Sequence, residues 1–218
     1  GYRHEGFEFG RPPDFMLDLM GAKAWEKLQH NRQELHDSWK REVLQDKIER
    51  GMATFERTLG MRPRSWRSPC CAVCTNLYLA LAGAGIAYDS SLIVNPQGWP
   101  YCGKDYQTKL DCEPAHPTYP FRHHGGVIEL PVVAEYTWFL ADDQSAERAW
   151  ELLTSDYERA VSSTGIFVAM SHYYAMTGPN RRGLEIYDRL FDFMETRGTV
   201  RYRTVAEAAS LPVGPWPI

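Results

Sequence analysis

The chain has no apolar stretch approaching the roughly 20 residues that a membrane-spanning helix requires, so no membrane span is expected. It has no block of like charge either. Its 24 Lys and Arg are interspersed with 28 Asp and Glu for a net charge of −4, and nothing resembles the basic stripe of a nucleic-acid binder. No charged-then-apolar leader is visible; the compartment stays open, with the cytoplasm the first expectation. No internal repeat or low-complexity tract occurs, which argues against a solenoid and for one domain over residues 1–218. Cysteine is sparse: Cys70, Cys71, Cys74, Cys102 and Cys112 form an odd set at irregular spacing, which does not read as a disulfide framework. A pairing of Cys102 with Cys112 across a loop is left open. Cys70-Cys71-Ala72-Val73-Cys74 has no second cysteine or histidine pair at a usual zinc spacing. The three cysteines are therefore read as small apolar residues where a turn enters a helix.

What is present is ordinary for a globular α/β protein: 44% hydrophobic and 24% charged residues in 218, enough for one sizeable core. Apolar residues at Leu35, Trp39, Val43, Ile48, Met52, Phe55 and Leu59 recur at three to five residues and predict one long helix, stopped by Gly60. Arg64–Trp66 reads as a short strand before the Arg67–Cys71 turn, and a helix follows near Asn76–Ala82. Ala87–Leu92 reads as the next strand end. Residues 95–126 read as a loop with five prolines, several aromatics and His123-His124. Val127–Val133 predicts a strand ending near Pro131, and Ser145–Val161 a helix with Ser145 as cap.

Ile166–Met170 is uninterruptedly apolar, as in a parallel strand buried on both faces. Leu184–Met194 predicts a helix closed by Gly198, Thr199–Arg203 a last strand, and Thr204 with Glu207 a capping box opening a final helix. Alternation of strands and helices predicts an α/β architecture with a parallel sheet or barrel.

In a parallel barrel, chemistry gathers at the C-terminal strand ends. His172 stands two residues beyond the apolar run, where an imidazole can serve as general acid or merely bond a neighbouring loop. Arg67 emerges from another strand end, where its fork can clamp a carboxylate or form a surface ion pair. His4, in Gly1-Tyr2-Arg3-His4-Glu5-Gly6, is the third candidate.

Four segments in order then resemble the polysaccharide deacetylase (NodB-homology, carbohydrate esterase family 4) proteins. Leu59-Gly60-Met61-Arg62-Pro63 with Trp66-Arg67-Ser68-Pro69 is similar to the family's "LG-x-x-P-x-x-(F/W)-R-x-P". Ala84–Ser91 is similar to its helix end and "YDSS" strand, Val168–His172 to its "L-x-H" strand, and Gly198–Ala208 to its terminal segment. The resemblance implies a distorted (β/α) barrel and hydrolysis of non-peptide C–N (amide) bonds, above all N-deacetylation of an acetylated sugar or polysaccharide. An allantoinase- or imidase-like amidohydrolase and a catalytically incomplete glycan-binding homologue are the alternatives.

It also implies residue roles. A divalent metal, commonly zinc, would be held by His4 as the second histidine of an H-x-x-x-H motif. Arg67 would orient a base aspartate, and the N–H of Cys70 or Cys71 would help form an oxyanion hole. His172 would protonate the leaving amine, and Met170 would line the acyl pocket. Trp138 would wall the pocket, and Glu135 would partner His172.

No Thr-Phe-Asp-Asp occurs in these residues. Both family aspartates and the first histidine, with the barrel's first strand, are expected from an upstream segment or a second chain; a homo-oligomer is left open. On that expectation, residues 1–218 alone bind zinc poorly and tend to aggregate through an open sheet edge. Metal analysis of the purified chain checks this, and soluble zinc-loaded protein would contradict it.

Overall fold

The computed structural model describes residues 6–93, 119–137, 140, 142–177, 181–198 and 200–211. It is a mixed α/β protein whose chain forms two compact units. The first comprises residues 1–92, 120–130 and 205–218; the second comprises 93–119 and 131–204.

In the first unit, α1 (Asp14–Met20), α2 (Ala22–His30), α3 (Arg32–Ser38) and α4 (Arg41–Leu59) precede β1 (Ser65–Trp66). The single helix predicted from Leu35 to Leu59 is instead two. Lys40 is extended between α3 and α4, and the break lets Trp39 reach elsewhere. Its indole Nε1 donates to Phe7 O at 2.8 Å, and its carbonyl accepts from Asn76 Nδ2 at 3.0 Å. Tertiary hydrogen bonds thus override a pattern that is continuous in sequence. The buried stripe of α4 is Leu44, Ile48 and Met52, whereas Phe55 and Leu59 are exposed. Gly60 closes α4 in the left-handed conformation, as its residue type favours.

After β1 a 3₁₀ turn at Pro69–Cys71 leads into α5 (Thr75–Gly83). Leu44, Ile48 and Met52 of α4 pack on Leu77, Tyr78 and Leu81 of α5, with Phe9, Ile86 and Val127 completing the cluster. Then come β2 (Tyr88–Asp89), β3 (Phe121–Arg122) and β4 (Ile128–Glu129). The sheet order is β1-β2-β4-β3. β1, β2 and β4 run parallel, with Trp66 opposite Asp89 and Asp89 opposite Glu129. β3 is antiparallel to β4 and was not anticipated in what reads as loop. A 3₁₀ turn at His124–Gly126, with Gly125 and Gly126 both at positive φ, returns the chain between them. The short helix α9 (Val205–Ala208) also belongs to this unit.

In the second unit, β5 (Ala134–Glu135) pairs in parallel with β6 (Ala169–Met170), Glu135 opposite Met170. Of the predicted strand Val127–Val133 only β4 forms, before Pro131, which has no N–H for a ladder; β5 begins just beyond it. Between β5 and β6 runs α6 (Asp143–Ser163). Its cap is Asp142, not Ser145: the Asp142 carboxylate accepts from Ser145 N at 2.7 Å, and Ser145 Oγ accepts from Asp142 N at 2.9 Å, a reciprocal capping box. Residues 166–170 are only half-buried, so the apolar run is not covered on both faces. α7 (Tyr173–Met176) and α8 (Arg182–Arg197) follow. Leu152, Leu153 and Tyr157 of α6 pack against Ile186, Leu190 and Met194 of α8 and against Tyr136 beyond β5. Residues 200–203 form no strand. Among the described residues no helix is long and apolar enough to cross a membrane.

Two leucines of one helix test this burial pattern. Leu44 is 0% exposed and Leu59 58%. Leu44→Ala is expected to cost about 2–5 kcal/mol of stability through lost burial and a cavity. Leu59→Ala should stay within about 0.5 kcal/mol. Urea denaturation of both variants measures the difference.

Candidate functional site

The strand ends of each unit carry polar side chains that the sequence reading singles out. In the first unit, Arg67 follows β1 directly. Its side chain is exposed, yet its guanidinium is crowded enough by protein that burial lowers its pKa from the usual arginine range, opposed by the nearby Cys71, Asp89 and Glu129. It donates to Ser90 Oγ at 2.8 Å, and Ser90 Oγ in turn donates to Leu130 O at 2.7 Å. The guanidinium is thereby tied to the segments that follow β2 and β4.

The turn after Arg67 is strained. Cys70 and Cys71 both sit in the left-handed region, at φ 52° and 54°, a conformation that costs a non-glycine residue about 1–3 kcal/mol. The left-handed geometry is one that glycine favours. The Cys71 N–H closes the turn on Ser68 O at 3.3 Å. Ser68 N donates to Ser91 Oγ at 2.8 Å. Cys70, Cys71 and Cys74 are free thiols, and burial pushes all three up in pKa, Cys71 to about 12. Only Cys71 is buried; Cys70 and Cys74 are half-buried, and Cys74 Sγ donates to Phe9 O at 3.7 Å.

Two acids that the sequence reading passed over lie at the same strand ends. Asp89 and Glu129 are both 0% exposed and face each other in register on β2 and β4. Glu129 Oε1 accepts from Ser91 N and Leu92 N, each at 3.0 Å, and Tyr78 OH donates to Oε2 at 3.4 Å. Asp89 Oδ1 accepts from Ser91 Oγ at 2.7 Å. Burial raises the pKa of both carboxyls, and at Glu129 the Asp89 charge beside it adds to the effect. The available signal was an acid standing inside the apolar run Val127-Ile128-Glu129-Leu130, where an unpaired charge is costly.

In the second unit the structure brings three predicted residues together. Glu135, on β5, is 1% exposed, and Met170, its register partner on β6, precedes Ser171 and His172. His172 Nδ1 lies 3.5 Å from Glu135 Oε1, with the imidazole 25% exposed. Glu135 is held from behind: Thr137 N donates to Oε2 at 3.1 Å, and Thr137 Oγ1 donates to Oε1. Thr137 Oγ1 also meets Ser171 Oγ at 2.9 Å. Met170 O accepts from Tyr187 OH at 3.1 Å, and burial raises the pKa of that phenol. A fixed carboxylate beside one ring nitrogen can orient an imidazole. Thr137 and Ser171, which lock the acid and the loop after β6, were not singled out from sequence.

His4, Trp138, Cys102 and Cys112 lie outside the described residues. Among the described residues no three His, Cys, Asp or Glu side chains form a group able to hold a metal ion. His123, undecided in sequence, stacks on Tyr78 with ring centroids 3.4 Å apart.

No family model matches the chain, and no curated protein matches it. A solved structure, the "putative polysaccharide deacetylase from Mycobacterium smegmatis", is 18% identical. The match covers 76% of this chain and 61% of that one, at a TM-score of 0.48.

The thiols give a direct check on the turn. With its pKa near 12 and its side chain buried, Cys71 stays a protonated thiol at pH 8. Iodoacetamide at pH 8 should leave it unmodified in the folded chain and alkylate it after unfolding. Peptide mass spectrometry reads the outcome.

Proposed function

We propose that the chain is a hydrolase of non-peptide C–N bonds, of the polysaccharide deacetylase kind. Its proposed substrate class is N-acetylated sugars or polysaccharides, and its proposed fold the distorted barrel of that family. The observation that carries this reading is the His172–Glu135 pair at 3.5 Å. It stands at the ends of two parallel strands, on the residues that resemble the family's "L-x-H" segment. Supporting it is the order of four resembling segments along the chain, ending with Gly198–Ala208.

The chemistry follows from what each side chain can do. Amide cleavage needs a proton for the departing amine, because an unprotonated amine is a poor leaving group. His172 supplies it, through the ring nitrogen that Glu135 does not face. Glu135 keeps the imidazole oriented, and Thr137 keeps Glu135 in place. Met170, at the end of β6, is proposed to line the acyl pocket, and Trp138 to wall it. Arg67 is assigned to orienting the carboxylate that acts as general base, by charge-assisted hydrogen bonds. Cys70 keeps its N–H as the proposed oxyanion donor, since that of Cys71 closes the turn.

A divalent metal, zinc by resemblance, belongs to the proposal with His4 as a ligand. The described residues offer no group fitted to hold it, and no step above is routed through it.

The test measures acetate released from N-acetylated oligosaccharides with zinc added. His172→Ala should lower turnover by about 10²–10⁴-fold with zinc content unchanged. Loss of metal together with activity would contradict the general-acid role. Retained activity in His172→Ala would overturn the reading.

A further inference from the structure

We propose that Asp89 and Glu129 form a one-proton carboxyl dyad, a positioning pair that holds the Arg67–Cys71 turn to the ends of β2 and β4. This stands apart from the amide-hydrolase reading and needs no substrate to test.

The geometry excludes the alternatives in turn. The two carboxyls face each other across parallel strands, both fully out of water. Two charges side by side there repel strongly in a low-dielectric interior. With both ionised, Asp89 Oδ2 is buried without any hydrogen-bond donor; a single proton between the two acids supplies one. Two protons would be equally out of balance. The donors aimed at the pair, Ser91 N, Leu92 N, Ser91 Oγ and Tyr78 OH, call for negative charge. The Arg67 guanidinium, whose attraction lowers the Asp89 pKa, would then lose its counter-charge. One proton and one negative charge satisfy every group, as in other paired carboxyls.

The groups facing the dyad are few. Arg67 approaches from the end of β1 and Cys71 from the turn. Tyr78 approaches from α5, with His123 stacked behind it after β3. Burial holds Cys71 and Tyr78 neutral near pH 7, so Arg67 is the cation set against the pair's charge.

The link to the turn runs through Ser91. Its hydroxyl donates to Asp89 Oδ1 and accepts the Ser68 N–H, and its own N–H donates to Glu129 Oε1. Losing the shared proton would set the two carboxylates against each other and pull Ser91, and with it Ser68, from both ends.

The sign of the pH effect is fixed by this arrangement. A carboxyl whose pKa is raised on folding binds a proton that the unfolded chain releases above about pH 4.5. Its stabilisation is complete below that pH and declines as pH rises toward the folded-state value. The folding equilibrium constant therefore falls by up to tenfold per pH unit across the neutral range, about 1.4 kcal/mol.

Glu129→Gln keeps the shape, the acceptor for both N–H groups and a donor to Asp89, but removes the proton. Denaturant titrations at pH 5, 6, 7 and 8 should show the wild type losing stability relative to E129Q by up to tenfold per unit. Parallel curves would overturn the proposal. Should E129Q fail to fold, infrared spectroscopy of the wild type decides. A buried neutral-carboxyl stretch at pH 7, shifted by ¹³C-carboxyl labelling of Asp and Glu and absent from Asp89→Asn, is expected. Its absence from the wild type would overturn the dyad.

Discussion

Two carboxyl groups that never meet water, Asp89 and Glu129, constrain everything at the ends of β1, β2 and β4. Neither could be buried alone at acceptable cost. Their neighbours are accordingly recruited: backbone N–H groups after β2, a tyrosine from α5, a serine hydroxyl and the guanidinium after β1. The same bonds fix where the Arg67–Cys71 turn lies, because Ser91 serves both the acid pair and Ser68. A turn carrying two left-handed cysteines needs such anchorage, since its own backbone conformation opposes it.

The second unit uses the same device with a different partner. Glu135 is also the second residue of a short parallel strand, also buried, and also bonded by the residue two positions on. There the acid faces an imidazole instead of another acid. Two buried acids side by side are proposed to share a proton, whereas the acid beside the imidazole is proposed to orient a proton donor. That contrast is why His172 is assigned to chemistry and the acid pair to holding a turn.

Much of this was legible in the sequence because it rests on local signals. α4 stops at Gly60 and α8 at Gly198, both at positive φ, and α5 ends at Gly83 just before Gly85, also at positive φ. His172 was singled out because it follows an apolar run, Arg67 because it follows a short strand, and Glu135 only through the family resemblance; β5 and β6 place Glu135 beside His172. What escaped depended on contacts distant in sequence. The break at Trp39 is set by bonds to Phe7 and Asn76, and no periodicity within residues 35–59 announces it. Capping by Asp142 instead of Ser145 was missed because both residues cap, and only their reciprocal bonds show which begins the helix. Glu129 was visible as an acid in an apolar run, but its partner could be named only once β2 and β4 were in register.

The central functional claim is that a C–N amide bond is hydrolysed, and the fate of water's oxygen tests it most directly. An N-acetylated oligosaccharide is incubated with the protein and added zinc in oxygen-18 water, and both products are followed by mass spectrometry. The account predicts free amine and acetate in equal amounts, with one oxygen-18 in each acetate. Bound but intact substrate, or amine released with unlabelled acyl product, would contradict it.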